Sequence, residues 1–206
     1  SIRLRKSRPK EKKQRMFNNK TVVVGVSGGI AAYKAAELVS RLKKLHANVR
    51  VCMTKSAQQF VSPLTFQSLS QNSVAVDMFA APEKWEIEHI SLAAAADVFV
   101  IAPATANIIG KIAVGIADDI VTSSVMATKA KVIIAPAMNN NMYENPVVRQ
   151  NIEKLKGLGY VFVEPQTGRL ACGTIGKGRL ADTDDIIEAI CENLLYEKDL
   201  VGRKVL

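Results

Sequence analysis

The sequence predicts an α/β protein built on a doubly wound parallel sheet, and three observations support this prediction. Short β-branched runs such as Thr21–Val26 and residues 98–102 are apolar throughout, as strands covered on both faces require. Segments with helical periodicity lie between most of these runs. Glycine or small polar residues follow several strand ends directly. We therefore expect right-handed crossovers and one Rossmann-like, flavodoxin-like three-layer domain.

Each element rests on its own pattern. The first helix follows strand Thr21–Val26 and covers residues 30–45, where apolar residues recur at spacings of three and four. An Ala-rich helix from His89 leads into a strand, a helix begins near Pro146, and a last helix covers residues 186–197. The further strands are expected at residues 49–53, 98–102, 131–135 and 160–163.

The net charge of +9 is concentrated at the start of the chain. Residues 1–15 carry +7 of it, which leaves +2 for the rest. We expect residues 1–15 to be a basic disordered tail or a non-native extension, and residues 16–198 to be the folded domain. Residues 199–206 resemble a linker and the first strand of a missing domain. The nearly neutral body argues against a nucleic-acid partner.

Several classes of protein are excluded by composition. The chain has no uninterrupted apolar stretch of about 18 residues and no secretory h-region, so we expect a cytoplasmic protein without a membrane partner. Cys52, Cys172 and Cys191 are odd in number and widely spaced, and only two histidines are present. Neither a disulfide framework nor a metal site is expected. Core packing is the better interpretation of Cys52 and Cys191.

Three polar turns follow predicted strands and should meet at one edge of the sheet. Their backbone N–H groups can hold an anion, and together they indicate a phosphorylated planar cofactor lying across the strand ends. The dinucleotide fingerprint Gly-x-Gly-x-x-Gly is missing, which leaves a mononucleotide phosphate. A simple helix N-cap is the alternative for Ser27. The turns contain Ser27, Gly28, Gly29 and Ile30; Thr54, Lys55 and Ser56; and Thr105, Ala106 and Asn107.

The segment Pro-Ala-Met-Asn-Asn-Asn-Met-Tyr at residues 136–143 directly follows the strand predicted at residues 131–135. Three successive amides put donors and acceptors where open α/β sheets bind ligands. An Asn-rich turn that caps the helix near Pro146 explains the same residues equally well. The pattern alone leaves both interpretations open.

Two further residues are candidates for acid–base chemistry. His89 lies in the first turn of a helix, where the helix N-terminus favours the neutral, proton-accepting imidazole, although a surface or packed histidine is the more common case. Cys172 lies within residues 168–179, which hold four glycines and three cations. This composition predicts a mobile lid for an anionic substrate, and a flexible surface loop with an incidental cysteine is the alternative.

The residues Ser27-Gly28-Gly29, His89, the segment 136–143 and Ala171-Cys172-Gly173 occur in one order along the chain. In this the chain resembles the homo-oligomeric flavin-containing cysteine decarboxylases over about residues 17–195. The family motif Pro-x-Met-Asn-x-x-Met-Trp is kept except for Tyr143 in place of Trp. Within the family, the resemblance is greatest to members that form 4′-phosphopantetheine in coenzyme A biosynthesis, particularly the amino-terminal half of bacterial bifunctional forms.

The resemblance implies roles for individual residues. His89 would be the acid–base residue, Asn139 would bind the substrate carboxylate and Cys172 would donate a proton. The other substrate-binding residues would be Met142, Arg169, Leu170 and Ala171, with Lys177 or Arg179 complementing a phosphate. The implied FMN site consists of the residues of the three polar turns together with Ala137.

The resemblance also implies a reaction and an assembly. FMN would oxidise the cysteinyl thiol of 4′-phospho-N-pantothenoylcysteine, carbon dioxide would leave, and reduction of the enethiolate would give 4′-phosphopantetheine. The enzyme would be a homo-oligomer, a trimer or a dodecamer built from trimers, with a synthetase fused to each chain. The alternatives are a flavin decarboxylase of a peptide C-terminal cysteine and a non-catalytic regulatory flavoprotein. A flavin prenyltransferase is disfavoured by the Asn139 motif and the Cys172 loop.

Overall fold

A computed structural model describes residues 14–78, 87–169 and 175–195. Its centre is a parallel sheet with six strands: β1 (Thr21–Val26), β2 (Asn48–Met53), β3 (Val74–Ala75), β4 (Val98–Ala104), β5 (Lys131–Pro136) and β6 (Val161–Phe162). Their order is β3-β2-β1-β4-β5-β6, so the chain winds outward first in one direction and then in the other. This order confirms the doubly wound sheet.

Helices cover both faces of the sheet, which makes the three layers. In the described part of the chain, no helix is long and apolar enough to cross a membrane. The helices are α1 (Ala32–Lys44), α2 (Pro63–Ser70), α3 (Glu88–Ala95), α4 (Ala106–Val114), α5 (Ile120–Ala127), α6 (Asn140–Glu144), α7 (Pro146–Gly157) and α8 (Thr183–Leu195). Helices α1, α2 and α8 contribute to one core cluster, and α3, α4, α5 and α7 to the other.

The central strands are apolar on both faces because each face is covered. All of β4 is buried. In β1, Val22, Val24 and Val26 belong to the core of one face, whereas Val23 belongs to the core of the other. Alternate residues point to opposite sides of a strand, so a doubly covered strand shows no polar alternation. The uninterrupted apolar runs in the sequence are therefore a direct consequence of the layering.

The two described cysteines lie in the core, as their apolar neighbours predict. Cys52 is fully buried on β2, and Cys191 on α8 is 7% exposed. Burial raises the pKa of the Cys52 thiol above its usual range. Its sulfur is therefore held in the protonated, unreactive form.

Part of residues 168–179, for which the sequence predicts a lid, forms a hairpin in the structure, and the mobility of the lid stays a prediction. Strands β7 (Gln166–Arg169) and β8 (Ile175–Arg179) pair antiparallel in a sheet of their own, with Gly168 opposite Gly176. Main-chain hydrogen bonds hold this hairpin, and glycine gives it no apolar pattern that could identify a strand. The short edge strand β3 is missed because two residues carry no periodicity.

We predict that Leu38→Ala lowers the free energy of unfolding by about 2–5 kcal/mol, because Leu38 packs in the core between α1 and the sheet. Urea titration measures the change. Leu64→Ala is the control, since Leu38 is 1% exposed and Leu64 is 65% exposed, and we expect an effect within about 0.5 kcal/mol. Equal losses in the two variants would contradict the layered core.

Candidate functional site

A cavity of about 1180 Å³ opens where β1, β2, β4 and β5 end. The segments that follow these strands line it, and β8 contributes Gly178 and Arg179. The carboxyl edge of the sheet therefore carries the site, as the general rule for such sheets expects. All of the residues predicted for the cofactor line this cavity: Ser27, Gly28, Gly29, Ile30, Thr54, Lys55, Ser56, Thr105, Ala106, Asn107 and Ala137.

Ser27 joins the ends of β1 and β4. Its side chain is buried, its Oγ donates to the carbonyl oxygen of Pro103 at 2.7 Å, and it accepts from the N–H of Thr105 at 3.1 Å. The N-cap position of α1 is Ala31 rather than Ser27. The alternative that Ser27 is a simple helix cap is therefore wrong, because its hydroxyl is used to bind two strand ends together.

Gly28 allows the turns after β1 and β2 to touch. A Cβ at Gly28 would lie 2.3 Å from Cβ and 2.8 Å from the carbonyl carbon of Ser56, closer than real atoms approach. The neighbouring Gly29 would place its Cβ 3.4 Å from Cγ2 of Thr105, which is tight but tolerable. Because both glycines also line the cavity, main chain faces the ligand there. Bare backbone of this kind suits a phosphate.

Helix α4 adds a second anion-binding feature at the same edge. Thr105 is its N-cap, and its Oγ1 accepts from the N–H of Ile108 at 3.4 Å. Ala106 and Asn107 then line the cavity in the first turn, where the helix dipole favours negative charge. The side chains of Ile30 and Tyr33 are about 60% exposed beside these polar groups. The cavity thus combines a place for phosphate with apolar surface for a planar ring.

The Asn-rich segment is both a turn and part of the cavity wall. Asn139 is the N-cap of α6 and its Oδ1 accepts from the N–H of Asn141 at 2.9 Å, while Asn145 caps α7 in the same way. Asn139 and Met142 also line the cavity. The two interpretations that the sequence left open are therefore compatible, because the caps hold Asn139 in position.

The hairpin strand β8 packs directly on this segment. The N–H of Met138 donates to the carbonyl oxygen of Gly178 at 2.9 Å. A Cβ at Gly178 would lie 2.2 Å from the carbonyl oxygen of Met138, and one at Gly176 would lie 2.7 Å from Cβ of Asn140. The glycine content of this segment predicts mobility. In the structure these glycines are needed for the close approach of two backbones.

Lys177 forms an ion pair with Glu164 and does not line the cavity. Its Nζ lies 2.7 Å from Oε2 of Glu164, and the hydroxyl of Tyr143 donates to the same oxygen at 3.1 Å. The hydrogen bond from Lys177 is the main cause that lowers the pKa of Glu164. Burial, followed by the charge of Glu164, raises the pKa of Tyr143 to about 12. Within the described residues, Lys177 is therefore not placed to contact a substrate in the cavity, and its predicted substrate contact has no support here.

An ion-pair network that sequence reasoning missed also lines the cavity. Nζ of Lys111 lies 2.6 Å from Oδ1 of Asp118 and 3.4 Å from Oδ2 of Asp119. Asp119 is in addition the N-cap of α5, where it accepts from two backbone N–H groups. The sequence signal that could have revealed this network is Asp119, a helix-capping residue shortly after the end of α4. Hydrogen bonding to Asp118 raises the pKa of Lys111, so this cation is already paired.

Of the two predicted catalytic residues that the structure describes, Asn139 lines the cavity and His89 does not. His89 lies in the first turn of α3, as predicted, and in the described part of the chain it is not among the lining residues. Its Nδ1 is buried and has no hydrogen-bond partner among the described residues. Leu170, Ala171 and Cys172 lie outside the described residues, as does the side chain of Arg169.

We predict that Gly28→Ala lowers the free energy of unfolding by about 1–3 kcal/mol, because its methyl group must displace the backbone at Ser56. Gly29→Ala, one residue away in the same turn, is the matched control and should change stability by less than about 1 kcal/mol. Urea titrations of both variants measure the difference. A Gly28→Ala variant as stable as Gly29→Ala would show that the two turns are not in tight contact.

Two bacterial proteins are similar to the chain over most of its length. It is 53% identical over 173 residues to the coenzyme A biosynthesis bifunctional protein CoaBC of Bacillus subtilis, which covers 84% of this chain but only 43% of that protein. It is 48% identical over 177 residues to a probable phosphopantothenoylcysteine decarboxylase of Streptococcus mutans, which covers 85% of this chain and 99% of the relative. The chain thus spans less than half of the bifunctional relative.

A solved structure agrees with these relatives. A cysteine-to-serine mutant of PPC decarboxylase, complexed with pantothenoylaminoethenethiol, superposes with a TM-score of 0.76 at 32% identity and covers 87% of this chain and 99% of its own. The family model described as Flavoprotein matches residues 10–195. This match takes in the sheet, its helices and the whole of the cavity wall. The chain therefore belongs to the flavoprotein family.

Proposed function

We propose that the chain is an FMN-dependent decarboxylase that converts 4′-phospho-N-pantothenoylcysteine to 4′-phosphopantetheine and carbon dioxide. One observation carries the proposal: a single cavity is lined by the phosphate-binding turns at Gly28 and Thr105 and also by Asn139 and Met142 of the Asn-rich segment. A cofactor site and a substrate site in one cavity are what a flavin decarboxylase requires. The named relatives and the solved structure support the same substrate class.

The residues present fit FMN. Gly28 and Gly29 expose main chain to the cavity, and α4 begins beside them, so a phosphate finds several N–H donors without a dinucleotide fingerprint. The volume of about 1180 Å³ is enough for a mononucleotide together with a small substrate. When bound, FMN supplies the two-electron redox chemistry at the cysteine thiol. The protein then has to orient the substrate, bind its carboxylate and move protons.

Asn139 is suited to bind the carboxylate that leaves. Its Oδ1 accepts from the backbone N–H of Asn141, so the side chain has a defined orientation. Only the amide nitrogen of this side chain can donate. An uncharged donor binds a carboxylate without the strong ground-state stabilisation that a cation would give, and the carboxylate must lose its charge during the reaction. Asn139 therefore favours decarboxylation more than a lysine or arginine would.

We propose that His89 of one copy of the chain acts on the substrate bound in the cavity of a neighbouring copy. Within one chain it lies on α3, away from the lining residues, and its Nδ1 lacks a partner in the described part. Ile87 and Ile90 flank it and are 62% and 47% exposed. Exposed apolar side chains in such a group are typical of a contact between subunits. A homo-oligomer would bring His89 of one copy to the cavity of the next.

Three expectations stay predictions. Cys172 would donate the proton that completes the product. A synthetase would be fused to this domain in the full-length protein, and the 43% coverage of the Bacillus subtilis relative supports such a fusion. A cytoplasmic location is expected of an enzyme in this biosynthetic route.

We predict that the purified protein has a flavin absorbance spectrum and releases carbon dioxide from 4′-phosphopantothenoylcysteine. The measurement is a spectrum followed by an assay of carbon dioxide and of 4′-phosphopantetheine. A peptide ending in cysteine is the control substrate and should react far more slowly. A bound flavin with turnover of the peptide only would favour the peptide decarboxylase, and a bound flavin with no turnover at all would favour the regulatory flavoprotein.

We predict that two inactive variants restore each other's activity when mixed. His89→Asn and Asn139→Asp should each abolish turnover, the first by removing the base and the second by repelling the carboxylate. Oligomers reassembled from equal amounts should regain about a quarter of the wild-type rate, since each site combines groups from two copies in a closed symmetric ring. No recovery, with mixed oligomers confirmed by mass spectrometry, would place both groups in one copy.

A further inference from the structure

Two cationic side chains of the cavity wall take part in no ion pair among the described residues and belong to none of the cofactor turns. The described lining includes Lys34, Lys55, Lys111 and Arg179. Lys111 is paired with the carboxylates of Asp118 and Asp119, and Lys55 belongs to a turn already assigned to the cofactor. No ion pair in the described part of the chain involves Lys34 or Arg179. These two charges have no assigned role in the site.

Lys34 and Arg179 line the same cavity. Burial lowers the pKa of Lys34, and the positive charge of Arg179 lowers it further, although Asp182 and Glu37 act in the opposite direction. Two cations that face one cavity in this way are stabilised when an anion lies between them. A phosphate monoester dianion has the charge and the acceptor oxygens to bind both.

The position of Arg179 connects this pair to the substrate side of the cavity. Arg179 directly follows Gly178, whose carbonyl oxygen accepts from the N–H of Met138, the residue before Asn139. Lys34 lies in the first turn of α1 and lines the same cavity as Arg179. Lys177, the other lysine or arginine of described β8 that could serve a phosphate, is held by Glu164. Of the two residues that the sequence offers for a phosphate, Arg179 lines the cavity and Lys177 does not.

We propose that Lys34 and Arg179 form a subsite for the 4′-phosphate of the substrate and make the enzyme prefer the phosphorylated substrate; this rests on the proposed function. FMN also carries a phosphate monoester, and the same chemistry would suit it. The turns at Gly28, Ser56 and Thr105 already offer main-chain donors for that group. The pair is therefore assigned to a second phosphate.

The test compares carbon dioxide release from 4′-phosphopantothenoylcysteine and from N-pantothenoylcysteine, which lacks the phosphate. Lys34→Gln and Arg179→Gln should each raise KM for the phosphorylated substrate roughly 10- to 100-fold, the loss of one charged hydrogen-bonding partner, and leave kcat nearly unchanged. KM for N-pantothenoylcysteine should stay at the wild-type value. Arg179→Lys keeps the charge and should retain much of the preference.

Lys44→Gln is the matched control, because it removes the same charge from the far end of α1. It should alter neither KM. The affinity of the apoprotein for FMN, measured by flavin fluorescence, should be the same in all variants.

Three outcomes would overturn the subsite. An equal rise in KM for both substrates would indicate general damage to the site. A loss of FMN affinity with an unchanged substrate preference would assign the pair to the cofactor phosphate. An unchanged KM in both variants would leave the pair without a role in binding. If the wild-type protein released carbon dioxide from neither substrate, the proposed function itself would be overturned. The subsite would then be overturned too, because it rests on that function.

Discussion

The contact between strand ends at Ser27 and Gly28 is the constraint on which the rest of the site depends. Ser27 joins the end of β1 to Pro103 and Thr105 at the end of β4, and Gly28 lets the turn after β2 press against the turn after β1. Three loops from different strands therefore form one continuous wall. Without this contact the backbone N–H groups would still exist, but they would not converge on one ligand.

A second contact adds the substrate side of the cavity. The hairpin strand β8 hydrogen bonds to Met138, and its glycines allow an approach that a Cβ would prevent. The same strand separates two cations through a bulge, because Thr167 pairs with Lys177 and Gln166 with Arg179, which leaves Gly178 as the extra residue. The bulge breaks the alternation that would put residues two positions apart on one face, so Lys177 binds Glu164 while Arg179 lines the cavity.

Much of the fold could be predicted because it follows from local patterns. The bounds of β1 were predicted correctly, because burial on both faces leaves an uninterrupted apolar run. The limits of α1 differ by only a residue or two from the expected helix, because burial on one face leaves a clear helical period. The polar turns could be identified as parts of one site because parallel strands end at a common edge. The hairpin could not be predicted because its glycine-rich strands carry no apolar pattern, and the pairing of Lys111 could not because it depends on how the chain turns after α4.

The sequence by itself determined the layered α/β fold, the edge of the sheet that carries the site and the residue types of the cofactor turns. Only the tertiary structure decided that Ser27 binds strand ends together instead of capping a helix, that the glycines of β8 provide close contact, and that Arg179 but not Lys177 faces the cavity. The physical reason is that periodicity and turn chemistry act over a few residues. The direction and partner of a side chain are set by whatever the fold packs against it.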